Sequence, residues 1–409
     1  MKKSILLLSL SLVTATSFAQ RISPDLVMNH ISYLSADALG GRGTSTKDEL
    51  KAAAYIVDQF KGIQLKPKGT EGFYFDFMYK YNPNIHDTTT TEIAAKKGRN
   101  VVGFLDNGAA QTIVIGAHYD HLGYGYDHNS LDPNPEGKIH NGADDNASGV
   151  AGVIELARYF SLNGITEKYN FLFMTFSGEE LGLIGSKKWC ENPTIPLNSI
   201  NCMINLDMVG RLNDSTKKLL IYGVGTSPVW LPAIEKTNTY FSVKTDSAGV
   251  GPSDQTSFYL KDIPVVHFFT GQHSDYHKPT DDAYKINANG EAKVLELIID
   301  LVYYLDSRPK LAFLKTKNNE SGKMSFKVTM GIMPDYVFDG EGLRIDGVSE
   351  NKPAAKAGLQ QGDVILQMGE KGIRNIQDYM KELNSLNLGE EVNVIILRKN
   401  ERITKKVKF

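Results

Sequence analysis

From Asn100 to Leu305 the chain alternates short apolar runs with stretches of helical period, and no other feature restricts its fold as much. Val101 to Leu105, Thr112 to Ala117, Phe171 to Phe176, Cys202 to Leu206, Leu219 to Tyr222 and Val265 to Phe269 read as strands. Val150 to Phe160, Leu181 to Trp189, Pro228 to Thr239, Gln255 to Leu260 and Ala288 to Leu305 read as helices. A strand run apolar enough to be buried on both faces, such as Thr112 to Ala117, fits the interior of a covered sheet. Strands alternating with helices imply an α/β fold, a mostly parallel sheet flanked by helices. Ligands of such sheets bind beyond the carboxyl ends of the strands.

Around this region lie less regular stretches. Ser35 to Gly43 is a glycine-rich turn, Asp48 to Phe60 reads as a helix, and Tyr74 to Tyr79 as a strand. Pro83 to Lys97 is polar and reads as an exposed loop. Tyr119 to Gly142 is a long loop rich in Gly, Tyr, Asn and Pro, and loops of that length are usually functional or disordered. With 409 residues more than one domain is expected. A Lys- and Asn-rich linker over 307–321 separates a catalytic domain, 20–306, from a small module, 322–409. The formal net charge is -2, from 45 basic and 47 acidic residues, which gives no reason to invoke nucleic acid or an anionic membrane.

The start is basic at Lys2 and Lys3, apolar from Ile5 to Val13, and small at Ser17 and Ala19. That is the pattern of a signal peptide over 1–19, and it predicts export to the periplasm or the exterior. The apolar run is too short to span a bilayer, and no later run is long enough, so no membrane span is expected. Cys190 and Cys202 could pair in an oxidising compartment, although spacing alone does not fix their geometry.

The chemistry centres on Gly142-Ala143-Asp144-Asp145-Asn146-Ala147-Ser148-Gly149, two carboxylates between glycines at the start of a helix. Alone, such a stretch reads as a helix cap. It does not stand alone: His118, Glu179 with Glu180, and Asp207 each follow an apolar strand, and His277 lies in a later loop. Histidine nitrogens and carboxylate oxygens suit zinc, and two ions can share one carboxylate and one water. The expected set is Asp145 as bridge, His118 and Asp207 on one ion, and Glu180 and His277 on the other. Glu179 is the expected general base. Asp120 would orient His118, and Tyr276 would donate a hydrogen bond to an oxyanion. His121, His128, His140 and His273 are read as bystanders, and Asp144 as a turn or supporting residue.

These motifs resemble those of the secreted di-zinc aminopeptidases of the bacterial leucyl and Streptomyces type. The resemblance rests on Ala117-His118-Tyr119-Asp120, Asp144 to Gly149, Gly178-Glu179-Glu180-Leu181-Gly182, Asn205-Leu206-Asp207-Met208 and Tyr276-His277-Lys278-Pro279, with Ser253-Asp254 and Phe268 to Gly271 in support. It implies a phosphorylase/hydrolase-like fold, two zinc ions and removal of N-terminal residues from peptide substrates. Met330 to Met333 and Asn351 to Ile365 resemble a PDZ domain of the bacterial protease type, which implies an α+β module that takes peptide C-termini. Three other readings are a mono-zinc glutaminyl cyclase-type acyl transfer, a carboxypeptidase or dipeptidase on a related fold, and an inactive peptide-binding protein.

Overall fold

The computed structural model describes residues 22–81, 94–127, 129–316, 328–334, 338, 340–348, 352–374 and 376–409. The expected signal peptide, His128 and residues 317–321 of the expected linker lie outside the described residues.

The chain opens with α1 (Pro24–Leu34), capped by Ser23 and started by proline at its first turn, a helix the periodicity reading passes over. After the glycine turn comes α2 (Lys47–Gly62), whose Thr46 cap accepts the Glu49 N–H at 3.2 Å. A short β1 (Lys66–Pro67) precedes the antiparallel hairpin of β2 (Tyr74–Tyr81) and β3 (Ala94–Leu105). The loop expectation therefore fails at 94–97. Its charged residues belong to a strand because Asp76 of β2 faces Lys97 at 2.6 Å and Arg99 at 2.5 Å across the pair.

Then come β4 (Thr112–His118), α3 (Gly149–Leu162), β5 (Asn170–Phe176), α4 (Ile184–Glu191) and β6 (Ile200–Leu206). They are followed by β7 (Lys218–Tyr222), α5 (Trp230–Thr237), β8 (Ser242–Thr245), α6 (Gln255–Tyr259), β9 (Val265–Phe269) and α7 (Ala288–Asp306). The sheet runs β1-β3-β5-β4-β6-β9-β7-β8, with β2 beside β3. Its centre, β5-β4-β6-β9, is parallel; β3 and β7 join it antiparallel. After β4 the chain goes to one side for β5 and to the other for β6, so the order reverses at the carboxyl end of β4, where such sheets open a crevice.

Every residue of β4, β5 and β6 is buried, and the pleat divides their side chains between two cores. Ile113, Ile115, Phe171, Phe173 and Ile204 pack with Val150 of α3 and Leu295 of α7. Val114, Leu172, Met174 and Met203 pack on the other face with Trp189 of α4 and Phe258 of α6. Helices on both faces keep these strands dry. Cys190 and Cys202 are buried and unpaired.

The C-terminal module has its own core of Met330, Ile345, Ile365, Met368, Val394 and Ile396. Its elements are β10 (Ile332–Pro334), β11 (Leu343–Val348), α8 (Pro353–Lys356), β12 (Val364–Met368), β13 (Lys371–Gly372), α9 (Ile376–Ser385), β14 (Glu391–Arg398) and β15 (Glu401–Lys408). Its antiparallel sheet runs β10-β11-β12-β14-β15, with β13 beside β12. Among the described residues no helix is long and apolar enough to cross a membrane.

Candidate metal centre

The central strands deliver the reactive groups. β4 ends on His118, Glu179 and Glu180 follow β5, and Asp207 follows β6 directly. Asp145 comes from the turn that opens α3. That turn is fixed from several directions. Asp281 Oδ2 accepts the N–H groups of Asp144 at 2.9 Å and Asp145 at 3.0 Å. Asn146 accepts from Met208 N–H at 3.2 Å and donates to the Leu206 carbonyl at 3.0 Å, which ties the turn to the end of β6. Gly142 has φ 54°, and a Cβ there would run into the Asp145 carbonyl and the His121 ring, so glycine is required.

Each oxygen of Asp145 faces a different histidine. Oδ1 lies 3.4 Å from His118 Nε2, which also lies 3.4 Å from Asp207 Oδ1. Oδ2 lies 3.2 Å from His277 Nε2, which lies 3.1 Å from Glu180 Oε2. The other nitrogen of each ring faces a backbone carbonyl: His118 Nδ1 that of Asp120 at 3.2 Å, His277 Nδ1 that of Asn129 at 2.9 Å. A carbonyl only accepts, so the ring proton sits on Nδ1 and the Nε2 lone pair is turned into the cluster. There it meets carboxylate oxygens, which also only accept. Such an arrangement is stable only with cations or added protons between the partners. Burial works against charge on His118 and on His277. It is outweighed by Asp207, Glu179 and Asp145 for the first and by Glu180 and Asp145 for the second, and both pKa values stand well above the ordinary one. The donor set fits divalent metal: His118, Asp145 and Asp207 bring ligand atoms within 4.8 Å of one another.

Glu179 Oε2 is 4.0 Å from His118 Nε2, and burial holds its carboxyl well above the usual range. Its N–H donates to Asp120 Oδ1 at 3.2 Å, and Thr44 donates to Asp120 Oδ2 at 2.8 Å. Asp120 was expected to orient His118. The carboxylate stands 3.8 Å away, and the closer contact is its carbonyl. Tyr276 stacks on His277 with ring centres 3.9 Å apart. Both border an open cleft with Glu179 and Asp207, walled by Met208, Tyr222, Pro252 and Phe269.

The bystanders divide. Asp144 supports: Oδ1 accepts from Gly210 N–H at 2.7 Å, and Oδ2 lies 3.1 Å from His273. His140 is bound to Ser130 at 2.7 Å, away from the cluster. His121 belongs to the centre: Nδ1 lies 2.7 Å from Glu180 Oε1 and 3.9 Å from Asp145 Oδ2. Its position three residues after His118 was the signal. Asp281 and Arg42 were also missed. Arg42 is buried and donates to the carbonyls of Tyr119, Leu34, Asn141 and Gly142 at 2.6 to 2.9 Å. Burial lowers its pKa to about 10, with Asp145 and Asp120 opposing, so it stays a cation beneath the carboxylates.

Fold and site together define an α/β unit with a histidine–carboxylate centre of metal-binding type at the carboxyl ends of its parallel strands. Residues 100–302 match the model of peptidase family M28 and residues 315–409 that of the PDZ domain. Over these stretches the chain carries a unit of peptidase family M28 followed by a PDZ domain. It is similar to the leupeptin-inactivating enzyme 1 of Streptomyces exfoliatus, 33% identical over 35% of this chain and 32% of that protein. It is also similar to the probable lipoprotein aminopeptidase LpqL of Mycobacterium tuberculosis, 31% identical over 62% of this chain and 49% of that protein. The chain thus spans half or less of the length of these curated relatives. Among solved structures, a glutaminyl cyclase of Bacteroides thetaiotaomicron shares the fold at 19% identity, with a TM-score of 0.55 over 70% of this chain and 99% of that one. A leucine aminopeptidase precursor of the same organism also does so at 19% identity, with a TM-score of 0.54 over 70% and 98%.

Proposed function

We propose that this chain is an exported zinc exopeptidase that removes N-terminal residues from peptides, using two ions that share Asp145. The division of the Asp145 carboxylate between His118 with Asp207 and His277 with Glu180 carries this reading. The match to peptidase family M28 and the relatives named as aminopeptidases support it. Export is proposed from the basic, apolar and small-residue start of the sequence.

When bound, such ions polarise a carbonyl and acidify a water near neutral pH. The chain's own groups do the rest. Glu179 takes a proton from the attacking water and hands it to the leaving amine. Asp120 holds the Glu179 backbone in place through its N–H. Tyr276, beside His277, donates to the oxyanion. His121, hydrogen-bonded to Glu180, fixes that carboxylate's direction. The deciding experiment pairs metal analysis with a panel of peptides with free or acetylated N-termini. Release of single N-terminal residues, blocked by acetylation and by chelation, is expected. Cyclisation of N-terminal glutamine by a one-ion protein would establish the acyl-transfer reading instead.

A further inference from the structure

Away from the metal ligands, the cleft is walled by the ends of three neighbouring strands and the loops beside them. Met208 follows β6, His267 and Phe269 stand on β9, and Tyr222 ends β7. Pro252 comes from the loop before α6 and Gln272 from the loop after β9. A side chain next to the bond that reacts at the metal centre has these residues as its surroundings. Such walls are mostly apolar, and the few polar groups in them fix what fits. Here two polar side chains interrupt the wall, His267 and Gln272.

His267 is held from both neighbouring strands, paired with Asn205 of β6 and with Tyr222 of β7. Asn205 Nδ2 lies 3.1 Å from His267 Nδ1, and the same amide is placed by Ser253 at 2.9 Å and Gln255 at 3.3 Å. An amide nitrogen only donates, so Nδ1 accepts and the ring proton sits on Nε2. The rings of Tyr222 and Phe269 flank it, with centres 5.5 and 6.3 Å away, and the residue is 2% exposed. Among the described residues Nε2 has no hydrogen-bond partner, and its edge of the ring, turned from Asn205, meets the cleft. Gln272 complements it. Its amide oxygen is buried without a partner among the described residues, and the residue lines the same cleft.

The cleft therefore presents a donor that lacks an acceptor and an acceptor that lacks a donor. An aliphatic side chain would strip water from both and return no hydrogen bond. A carboxylate would serve His267 but set a second acceptor against the Gln272 oxygen, and an ammonium group would do the reverse. We propose that His267 and Gln272 select the first residue of the substrate, favouring an uncharged side chain that both accepts and donates, a carboxamide or a hydroxyl, over an aliphatic one of the same shape. This rests on the exopeptidase reading, which makes an N-terminal residue the occupant of the cleft.

The test uses peptides matched in shape. Asn-Ala-Ala against Leu-Ala-Ala, and Thr-Ala-Ala against Val-Ala-Ala, differ in hydrogen bonding and little in volume, and Asp-Ala-Ala adds a charge. With the zinc-loaded full chain, kcat/KM for release of the first residue should be at least about tenfold higher for Asn than for Leu or Asp, and higher for Thr than for Val. Gln272→Met keeps the length of the side chain without its amide and should erase most of the preference for Asn over Leu. His267→Phe should reverse that preference, with zinc content and Tm measured alongside to confirm that β9 is intact. Calorimetric binding of the same peptides to the zinc-loaded Glu179→Gln protein reads the preference without the chemical step. Leu equal to or better than Asn, Asp better than Asn, or ratios that both substitutions leave unchanged would each overturn the proposal. Should no peptide be cleaved, the exopeptidase reading falls, while the binding ratios still decide whether this wall selects polar side chains.

Discussion

Replacing Arg42 by lysine separates the geometry of its side chain from its charge. The guanidinium is 1% exposed and satisfies four carbonyls, on Leu34, Tyr119, Asn141 and Gly142. These belong to the end of α1, the loop after His118 and the loop before Asp145, so one side chain joins the strand end to the metal turn. An ammonium group keeps the cation but cannot reach acceptors spread around a planar fork. At ~1–3 kcal/mol for each buried acceptor left unpaired, and roughly two so left, Arg42→Lys should cost ~2–6 kcal/mol. That is a large part of the ~5–15 kcal/mol by which native domains are stable. Urea unfolding followed by tryptophan fluorescence would measure it. Trp189 and Trp230 are the protein's 2 tryptophans, both fully buried in the peptidase unit, so the signal follows that unit and not the PDZ module. Zinc affinity should fall in parallel, because the loops that carry Asp120 and Asp145 lose their common anchor. A variant within about 1 kcal/mol of the parent, with the same affinity for zinc, would refute the clamp.

Further outcomes are expected at other positions. Asp145→Ala should lose both ions by elemental analysis, whereas His140→Ala should keep them; full occupancy in the first variant would sink the shared-ligand assignment. Glu179→Gln should retain zinc and lose roughly 10²–10⁴-fold in turnover, seen in kcat more than in KM. Glu291 is buried with neither oxygen hydrogen-bonded, and burial, then Asp144, raise its carboxyl well above the usual range. A folded pKa above the unfolded one means that its contribution to stability is lost as pH rises past the ordinary carboxylate range. Glu291→Gln should therefore gain Tm relative to the parent between about pH 5 and pH 8, and a pH-independent difference would contradict the assignment.

Legibility from sequence followed the strength of local signals. β4, β5 and β6 were readable because each is an unbroken apolar run, and their ends named His118, Glu179, Glu180 and Asp207. Where tertiary contacts decide the conformation, the pattern was silent or misleading. The first part of β3 looked like a loop because Lys96 and Lys97 are polar, and its strand character comes from pairing with β2. His121 has no strand end to mark it, yet its ring lies 2.7 Å from Glu180. Arg42 carries no periodic signal, since its partners are backbone carbonyls far along the sequence. Residues 307–316 looked like open linker, because a few anchors such as Leu311 and Thr316 hold them rather than a regular apolar face.

The number of ions is where the physics of this centre bears most directly on its chemistry. Were a single ion held by Glu180 and His277, the Nε2 lone pair of His118 would still face Asp145 Oδ1 and Asp207 Oδ1 at 3.4 Å. A proton on His118 could satisfy that half, and the raised pKa of this ring supports such a state. The protonated form would then occupy the place where a second cation draws on the same oxygens. Zinc and proton thus compete for one pair of carboxylates. The same competition holds at the other half, where burial is outweighed by Glu180 and Asp145 and the pKa of His277 stands well above the ordinary value. Ligand protonation makes metal affinity depend on pH, so both halves should fill less readily as the medium is acidified.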